Sequence, residues 1–281
     1  MTARGRVLWR LITTLIALVG LAAAGTLPAA ANRPGTVQYV ALGDSYAAGQ
    51  GGGTYLNSCL QTASGYPELL DAEKRIHLRA NAACTGASTS EVIDEQLSAL
   101  NRGTRLVTIT AGAANLGLSQ ILAICLNQPP EVCFDAINLR LGQLPELGDD
   151  LADLYAQVAE EAPNALIVVT GYPNLFEIIP GDPDATLKAA INAATVELNR
   201  TIAGAVAAAE ASGINIVYVD VNTSDVNTPT FVGHGIGSPV PYINAIGPDA
   251  FHPNAAGYET YAAAISAVLP AEWLDEQEQS A

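Results

Sequence analysis

Short runs of β-branched and apolar residues alternate with longer helix-period segments along this chain, and no other feature constrains the fold as strongly. Four runs predict strands, at residues 37–42, 106–110, 165–170 and 214–221, and a weaker one lies at residues 76–80. Segments rich in Ala and Leu predict helices at residues 91–100, 144–162, 185–211 and 255–269. Strands that alternate with helices favour an α/β fold, in which helices cover both faces of a central parallel sheet.

Small turn residues follow three of the predicted strands. Ser45, Gly112 and Gly171 each come just after a strand. In open parallel sheets, ligands bind beyond the carboxyl ends of the strands. We therefore expect these three residues to meet at one edge of the sheet, where a site would form.

The first 31 residues have the features of an export signal. Arg4, Arg6 and Arg10 precede a mostly apolar run at residues 11–24, and three alanines at residues 29–31 resemble a signal peptidase site. The apolar run is shorter than the roughly 20 residues that a membrane span needs, which favours a cleaved leader over a retained anchor. We expect a signal peptide at residues 1–31 and a single domain at residues 32–281.

The chain beyond the leader is strongly acidic. The sequence has 28 Asp and Glu against 12 Lys and Arg, and the leader holds three of the basic residues and no acidic one. The mature protein would therefore carry a net charge of −19, which disfavours binding to nucleic acid or to anionic lipid. We expect a secreted, extracellular protein that makes no stable membrane insertion after leader cleavage.

Four cysteines in an exported chain predict two disulfides. Three connectivities are possible for Cys59, Cys84, Cys125 and Cys133. Sequential pairing, Cys59–Cys84 and Cys125–Cys133, is favoured because each pair brackets a loop-like stretch, whereas crossed pairs would have to bridge a predicted strand. No Cys-x-x-Cys motif or nearby histidine accompanies them, so no metal site is expected.

A serine after the first strand and a histidine near the end of the chain are candidates for catalysis. Gly43-Asp44-Ser45 is by itself an ordinary turn sequence. At a strand-to-helix turn, however, the Ser45 hydroxyl would lie at the sheet edge and its N–H at a helix start, where an oxyanion can bind. A nucleophilic serine needs a base, and the base needs an orienting partner. His252, three residues after Asp249, predicts the base, and Asp249 predicts its partner.

These motifs resemble those of the SGNH (GDSL-type) hydrolases, and most closely the secreted actinobacterial-type esterases and lipases. Residues 43–46 are similar to the first block of that family, which implies Ser45 as nucleophile. Residues 83–88 are similar to the second block, with Gly86 as a backbone oxyanion donor. Asp249-x-x-His252 and the following Pro-Asn are similar to the fifth block, with His252 as base and Asp249 as its orienting residue.

The resemblance implies a three-layer α/β/α flavodoxin-like fold that needs neither a metal nor an organic cofactor. It implies a secreted serine hydrolase, an esterase or lipase, that cleaves carboxylic esters by a Ser-His-Asp mechanism. We expect a monomer that acts on a small-molecule or lipid ester. Two alternatives remain open: a carbohydrate esterase that removes acyl groups from polysaccharide, and a non-catalytic binding module with a degraded site.

One block departs from the family pattern. The third block usually reads Gly-x-Asn-Asp, and its asparagine donates to the oxyanion. Here Ala114 occupies the asparagine position, and Asn115 stands where aspartate is usual. Either a loop shift brings Asn115 to the oxyanion, or the hole keeps only the N–H groups of Ser45 and Gly86. We favour the second interpretation, because a shift of one residue turns a side chain to the opposite face.

Overall fold

A five-stranded parallel sheet forms the centre of the protein. The computed structural model describes residues 36–73, 75–223 and 229–271, so the expected leader lies outside the described residues. The strands are β1 (Val37–Gly43), β2 (Ile76–Asn81), β3 (Leu106–Thr110), β4 (Leu166–Thr170) and β5 (Ile216–Val219). Their order in the sheet is β2-β1-β3-β4-β5, with every neighbouring pair parallel. This is the flavodoxin-like order, so the expected fold is confirmed.

Helices flank the sheet. The α-helices of the described residues are α1 (Ser45–Ala48), α2 (Tyr66–Asp71), α3 (Thr89–Glu91), α4 (Leu118–Asn127), α5 (Pro130–Leu141), α6 (Leu144–Glu161), α7 (Ala185–Ala211) and α8 (Ala255–Val268). Helix α2 packs against α8, and α6 packs against α7. All residues of β3 and β4 are buried, as expected for central strands whose two faces are both covered by helices. No helix within the described ranges combines the length and apolarity needed to cross a membrane.

The predicted elements differ from the structure mainly between β2 and β4. The helices predicted at residues 144–162, 185–211 and 255–269 are present, with small differences at their ends. The segment at residues 91–100 is not a regular α-helix. It forms the end of α3, a π-helical turn (Val92–Gln96) and a 3₁₀ turn (Leu97–Ala99). Helices α4 and α5 were not predicted.

Two disulfides brace segments near the carboxyl edge of the sheet. Cys59 is bonded to Cys84, which joins the segment after α1 to the segment after β2. Cys125 is bonded to Cys133, which joins α4 to α5. The cysteines thus pair in the sequential order that the sequence favoured.

Candidate active site

A cleft of about 460 Å³ opens at the carboxyl ends of β1 and β3. In this strand order β1 is followed by β2 on one side and β3 is followed by β4 on the other, and ligands of doubly wound folds bind at such a switch point. Ser45, Gly86 and His252 all line the cleft, although they come from three distant parts of the chain. The structure therefore brings together three of the residues that the sequence singled out.

The turn that carries Ser45 is tightly constrained. Gly43 ends β1 with a φ of +129°, and a Cβ atom built there would lie 2.1 Å from the carbonyl oxygen of Thr110 on β3. Only glycine allows this approach. The side-chain amide of Gln96 bonds both backbone groups of Gly43: Oε1 accepts from its N–H (2.8 Å), and Nε2 donates to its carbonyl (2.9 Å). The irregular π-helical segment thus holds the turn that carries Ser45.

Asp44 fixes the start of α1 and links three loops. Its Oδ1 accepts from the Tyr46 N–H (2.9 Å), which caps the helix that begins at Ser45. Its Oδ2 accepts from the Tyr172 hydroxyl (2.5 Å), and that hydroxyl in turn accepts from the Ala113 N–H (3.1 Å). Burial raises the pKa of Asp44 to about 6, although the bond from Tyr172 opposes the shift. The residue orders the site and contributes no free carboxylate to it.

Ser45 and His252 form the central pair of the cleft. The Ser45 Oγ lies 2.9 Å from the His252 Nε2. The His252 Nδ1 lies 3.2 Å from the carbonyl oxygen of Ala250. A carbonyl oxygen can only accept a hydrogen bond, so Nδ1 carries the proton of the neutral ring and Nε2 presents a lone pair to the serine hydroxyl. Burial lowers the pKa of His252, opposed by the Ala250 carbonyl and the nearby Asp249, so the ring is neutral at neutral pH.

The predicted Asp249–His252 side-chain contact is not formed. The carboxylate of Asp249 accepts a hydrogen bond from the Tyr55 hydroxyl instead. The two residues are joined through the backbone, where the His252 N–H donates to the Asp249 carbonyl (3.1 Å). This turn brings the Ala250 carbonyl to Nδ1, while the carboxylate is held by Tyr55. The orienting partner of the imidazole is therefore a backbone carbonyl, not the carboxylate that the motif suggested.

The loop that carries His252 is fastened to the rest of the site. The Tyr46 hydroxyl donates to the Phe251 carbonyl (2.5 Å), which ties this loop to α1. The Asn244 side chain donates to the carbonyls of His252 (3.1 Å) and Pro253 (3.3 Å). Phe251 has a φ of +70°, a strained conformation for a bulky residue that persists only where its surroundings enforce it. These contacts set the position of the imidazole relative to α1.

Two backbone N–H groups in the cleft are available to bind an anion. Ser45 is the first residue of α1, and Gly86 has a φ of +78° with open space where a Cβ would be. A side chain at position 86 would meet no obstacle, so space does not require glycine there. The positive φ does, because residues with a side chain rarely adopt it. Neither N–H donates to an acceptor within the described part of the chain.

Asn115 does not reach the cleft. Its Oδ1 accepts from the Thr89 N–H (3.0 Å), and its Nδ2 donates to the Thr89 hydroxyl (2.8 Å) and to Asp150 (3.3 Å). Ala114 lines the cleft in its place. The structure therefore does not bring the proposed oxyanion donor Asn115 to the site, in line with the ungapped reading of the third block.

Several residues that shape the site escaped the sequence analysis: Gln50, Gln96, Tyr172 and Asn244. Gln96 and Tyr172 are remote in sequence from the residues that they hold, and none of the four lies in a recognisable motif. A glutamine or asparagine in a chain of this length gives no signal by itself. Only Tyr46 could have been noticed, because it directly follows Ser45.

Residues 41–260 match the GDSL-like Lipase/Acylhydrolase family. The chain belongs to this family. A lipase of Streptomyces rimosus is 34% identical over 88% of the chain and 90% of its own length.

Two solved structures share the fold with a TM-score of 0.75. One is an extracellular lipase from Streptomyces rimosus, 31% identical, and the other is a phospholipase A1 from Streptomyces albidoflavus, 29% identical. In each case the match covers 83% of this chain and 100% of the other. The family member described here is accordingly a carboxylic ester hydrolase, as the motifs predicted.

Proposed function

We propose that the protein is a secreted serine esterase or lipase in which Ser45 attacks the ester carbonyl and His252 is the general base. The observation that carries this proposal is the 2.9 Å contact between the Ser45 Oγ and the His252 Nε2. This separation lies within the hydrogen-bond reach that proton abstraction requires. The pair stands in an open cleft beside two unpaired N–H groups, the arrangement that acyl transfer needs.

In the first half of the reaction, the Ser45 oxygen bonds to the ester carbon and its proton passes to Nε2 of His252. The carbonyl oxygen becomes an oxyanion that the N–H groups of Ser45 and Gly86 bind. His252 then returns the proton to the departing alcohol. Water repeats the sequence on the acyl-enzyme, which releases the acid and restores Ser45.

The imidazolium that forms in this reaction is stabilised without a carboxylate contact. The Ala250 carbonyl accepts from Nδ1 in both protonation states of the ring. The charge of Asp249 raises the pKa of His252 from a distance, against the lowering effect of burial. We therefore infer a Ser–His pair oriented by the backbone, in which Asp249 contributes only electrostatically.

A small apolar cavity beside the cleft supports an acyl substrate. Its volume is about 40 Å³, and Tyr46, Ala113 and Leu118 line both it and the cleft. A space of this size corresponds to about three waters. A few carbons of an acyl chain would fit there, and their burial would contribute roughly 0.8 kcal/mol per methylene. No contact of the described residues favours a polysaccharide over a simple ester.

We also infer that the protein works outside the cell. Both cysteine pairs are joined as disulfides, and such bonds persist in oxidising compartments. The leader-like sequence before residue 32 and the extracellular lipase among its structural relatives point the same way.

Purified protein should hydrolyse nitrophenyl esters, tested as a series from acetyl to palmitoyl, and a fluorophosphonate probe should label Ser45 and no other serine. The Ser45→Ala variant serves as the blank. Acetylated xylan in a parallel assay tests the carbohydrate esterase: faster turnover of xylan than of every simple ester would favour that alternative. Wild-type protein that neither turns over any ester nor reacts with the probe would contradict the proposal.

A further inference from the structure

The loop after β3 leaves the cleft without a side-chain donor. Ala113 and Ala114 line it, and the amide of Asn115 is bound to Thr89 and Asp150. Loss of one oxyanion donor typically lowers turnover by ~10²–10³-fold. In a hydrolase with this loop, a third hydrogen bond to the oxyanion would have to come from a residue elsewhere in the cleft.

We propose that the side-chain amide of Gln50 is that donor, and that Gln50 is a catalytic residue which binds the oxyanion together with the N–H groups of Ser45 and Gly86. This proposal rests on the serine esterase mechanism given above. The bond order of the ester carbonyl falls from two to one as Ser45 adds, and the Nε2–H of Gln50 donates to the resulting oxygen. No atom is transferred to or from Gln50.

The backbone of Gln50 is clamped beside the nucleophile. Its N–H donates to the Ser45 carbonyl (3.0 Å), just beyond the end of α1. Its carbonyl accepts from the Tyr258 hydroxyl (2.7 Å) on α8. The next residue, Gly51, abuts His252, since a Cβ built at Gly51 would lie 3.1 Å from the His252 Cβ. Gln50 is thus held between the proposed nucleophile and the proposed base.

The side chain of Gln50 is buried but faces the cleft. It is 7% exposed and lines the same cleft as Ser45, Gly86 and His252. Its Oε1 accepts from the Thr85 hydroxyl (2.7 Å), and Thr85 directly precedes Gly86. The Nε2 has no acceptor among the described residues, and it is not one of the enclosed polar atoms that lack a partner. The Nε2 is thus accessible from the cleft, where water or the oxygen of a bound ester can accept its hydrogen bond.

Thr85 is the positioning residue of this arrangement. Its hydroxyl donates to Oε1, and in this orientation the Nε2 end of the amide is free. Because Thr85 and Gly86 are consecutive, the same loop after β2 supplies one backbone donor and orients a side-chain donor. The donor that the family pattern places after β3 would here come from the turn after β1.

Three variants test the role of Gln50. Gln50→Met keeps the length of the side chain and removes the donor, and it should lower kcat by about 10²-fold with little change in KM. Gln50→Glu keeps the shape and can still accept from Thr85, but it places an acceptor oxygen where the amide N–H stood, and it should be at least as slow. Gln157→Met, at a half-buried position of α6 that does not line the cleft, is the matched control and should keep wild-type kcat.

A new amide donor at position 114 should compensate for the loss of the Gln50 amide. Ala114→Asn in the Gln50→Met background should recover about tenfold or more of the lost kcat, whereas a purely structural role for Gln50 predicts no recovery. Thr85→Val should lower kcat without raising KM, and Thr85→Ser, which retains the hydroxyl, should return it to near the wild-type value.

Wild-type kcat in Gln50→Glu would overturn the proposal, as would a kcat of Gln50→Met within about threefold of the wild type. The Gln50→Glu result decides even if Gln50→Met folds poorly, because the isosteric variant keeps the packing. These outcomes are separable from failure of the serine esterase mechanism. That failure would appear as ester hydrolysis that survives Ser45→Ala in an otherwise unchanged protein.

Discussion

The loops that follow β1 and β3 leave neighbouring strands at the same edge of the sheet, and they contribute to the site in opposite ways. The β1 loop provides Ser45, and clamps from Gln96 and Tyr172 fix its turn. The β3 loop provides backbone and two alanine methyl groups, and its polar residue Asn115 turns away to cap α3.

The difference shows that a loop at the carboxyl edge of the sheet does not have to supply a functional side chain. Both loops lie where doubly wound folds place ligands. In this chain the β1 loop and the loop of His252 supply the polar side chains Ser45, Gln50 and His252 to the cleft. The β3 loop lines the cleft with Ala113 and Ala114. Four predictions test that division.

The largest effect is expected at the Ser45–His252 pair. Ser45→Ala and His252→Ala should each lower kcat by ~10⁴-fold or more, and the double variant should be scarcely slower than either single one. The reason is that the serine is reactive only while the imidazole accepts its proton. Steady-state kinetics on a short-chain ester measures this, and losses that multiply in the double variant would contradict a pair acting as a unit.

The two disulfides should differ in their effect on stability. Cys59–Cys84 spans 25 residues on the β1 side, and Cys125–Cys133 spans 8 residues beyond the β3 loop. Replacement of both cysteines by serine should lower the free energy of unfolding by ~3–4 kcal/mol for the longer loop and ~2–3 kcal/mol for the shorter one. Urea denaturation without reductant gives these values.

Two further results would count against this assignment of disulfides. Free thiols in the denatured, unreduced protein are not expected, since the described residues contain no unpaired cysteine. A peptide map that joins Cys59 to Cys125 would show a different pairing.

Asn115→Ala separates stability from turnover on the β3 side. The variant loses the bonds to Thr89 and Asp150 and should lower the free energy of unfolding by ~1–2 kcal/mol. Its kcat should stay within about threefold of the wild type, because Asn115 does not face the cleft. Asn164→Ala, at the opposite end of the sheet, is the control for loss of an exposed amide contact. A selective fall in kcat of ~10²-fold would return Asn115 to the oxyanion hole.

The smallest effect is expected at Asp249. An aspartate that orients the imidazole directly is worth ~10⁴-fold in kcat, whereas Asp249→Asn should here lower kcat by less than about tenfold, because the Ala250 carbonyl retains the ring. The kcat/KM profile should fall at low pH as His252 becomes protonated. Asp249 raises the pKa of His252, so its removal should move that acid limb to lower pH.

Tyr55→Phe is the control for Asp249, since it removes the hydroxyl that binds the carboxylate and leaves the charge in place. Its acid limb should lie close to that of the wild type. A loss of ~10⁴-fold in Asp249→Asn would instead identify the carboxylate as the orienting partner in the working enzyme.

Much of this protein could be predicted from the sequence because its signals are local. A buried strand or a helix with one buried face leaves a pattern of apolar residues in its own segment of the chain. That pattern was enough to predict the parallel sheet and the long helices α6, α7 and α8. Ser45 and His252 stand in short motifs that indicate their chemistry, and the resemblance to the family added Gly86. The same resemblance showed that Ala114 stands where the family has a donor.

The orientation of side chains was decided only in the tertiary structure. Asp249 and His252 are three residues apart, but a contact between Tyr55 and Asp249 and the path of the backbone at Ala250 determine which oxygen faces Nδ1. The amide of Gln50 faces the cleft because Thr85, 35 residues away, holds its other end. Hydrogen bonds over such separations depend on angles and distances that form only when the whole sheet has assembled, and the sequence around either partner carries no trace of them.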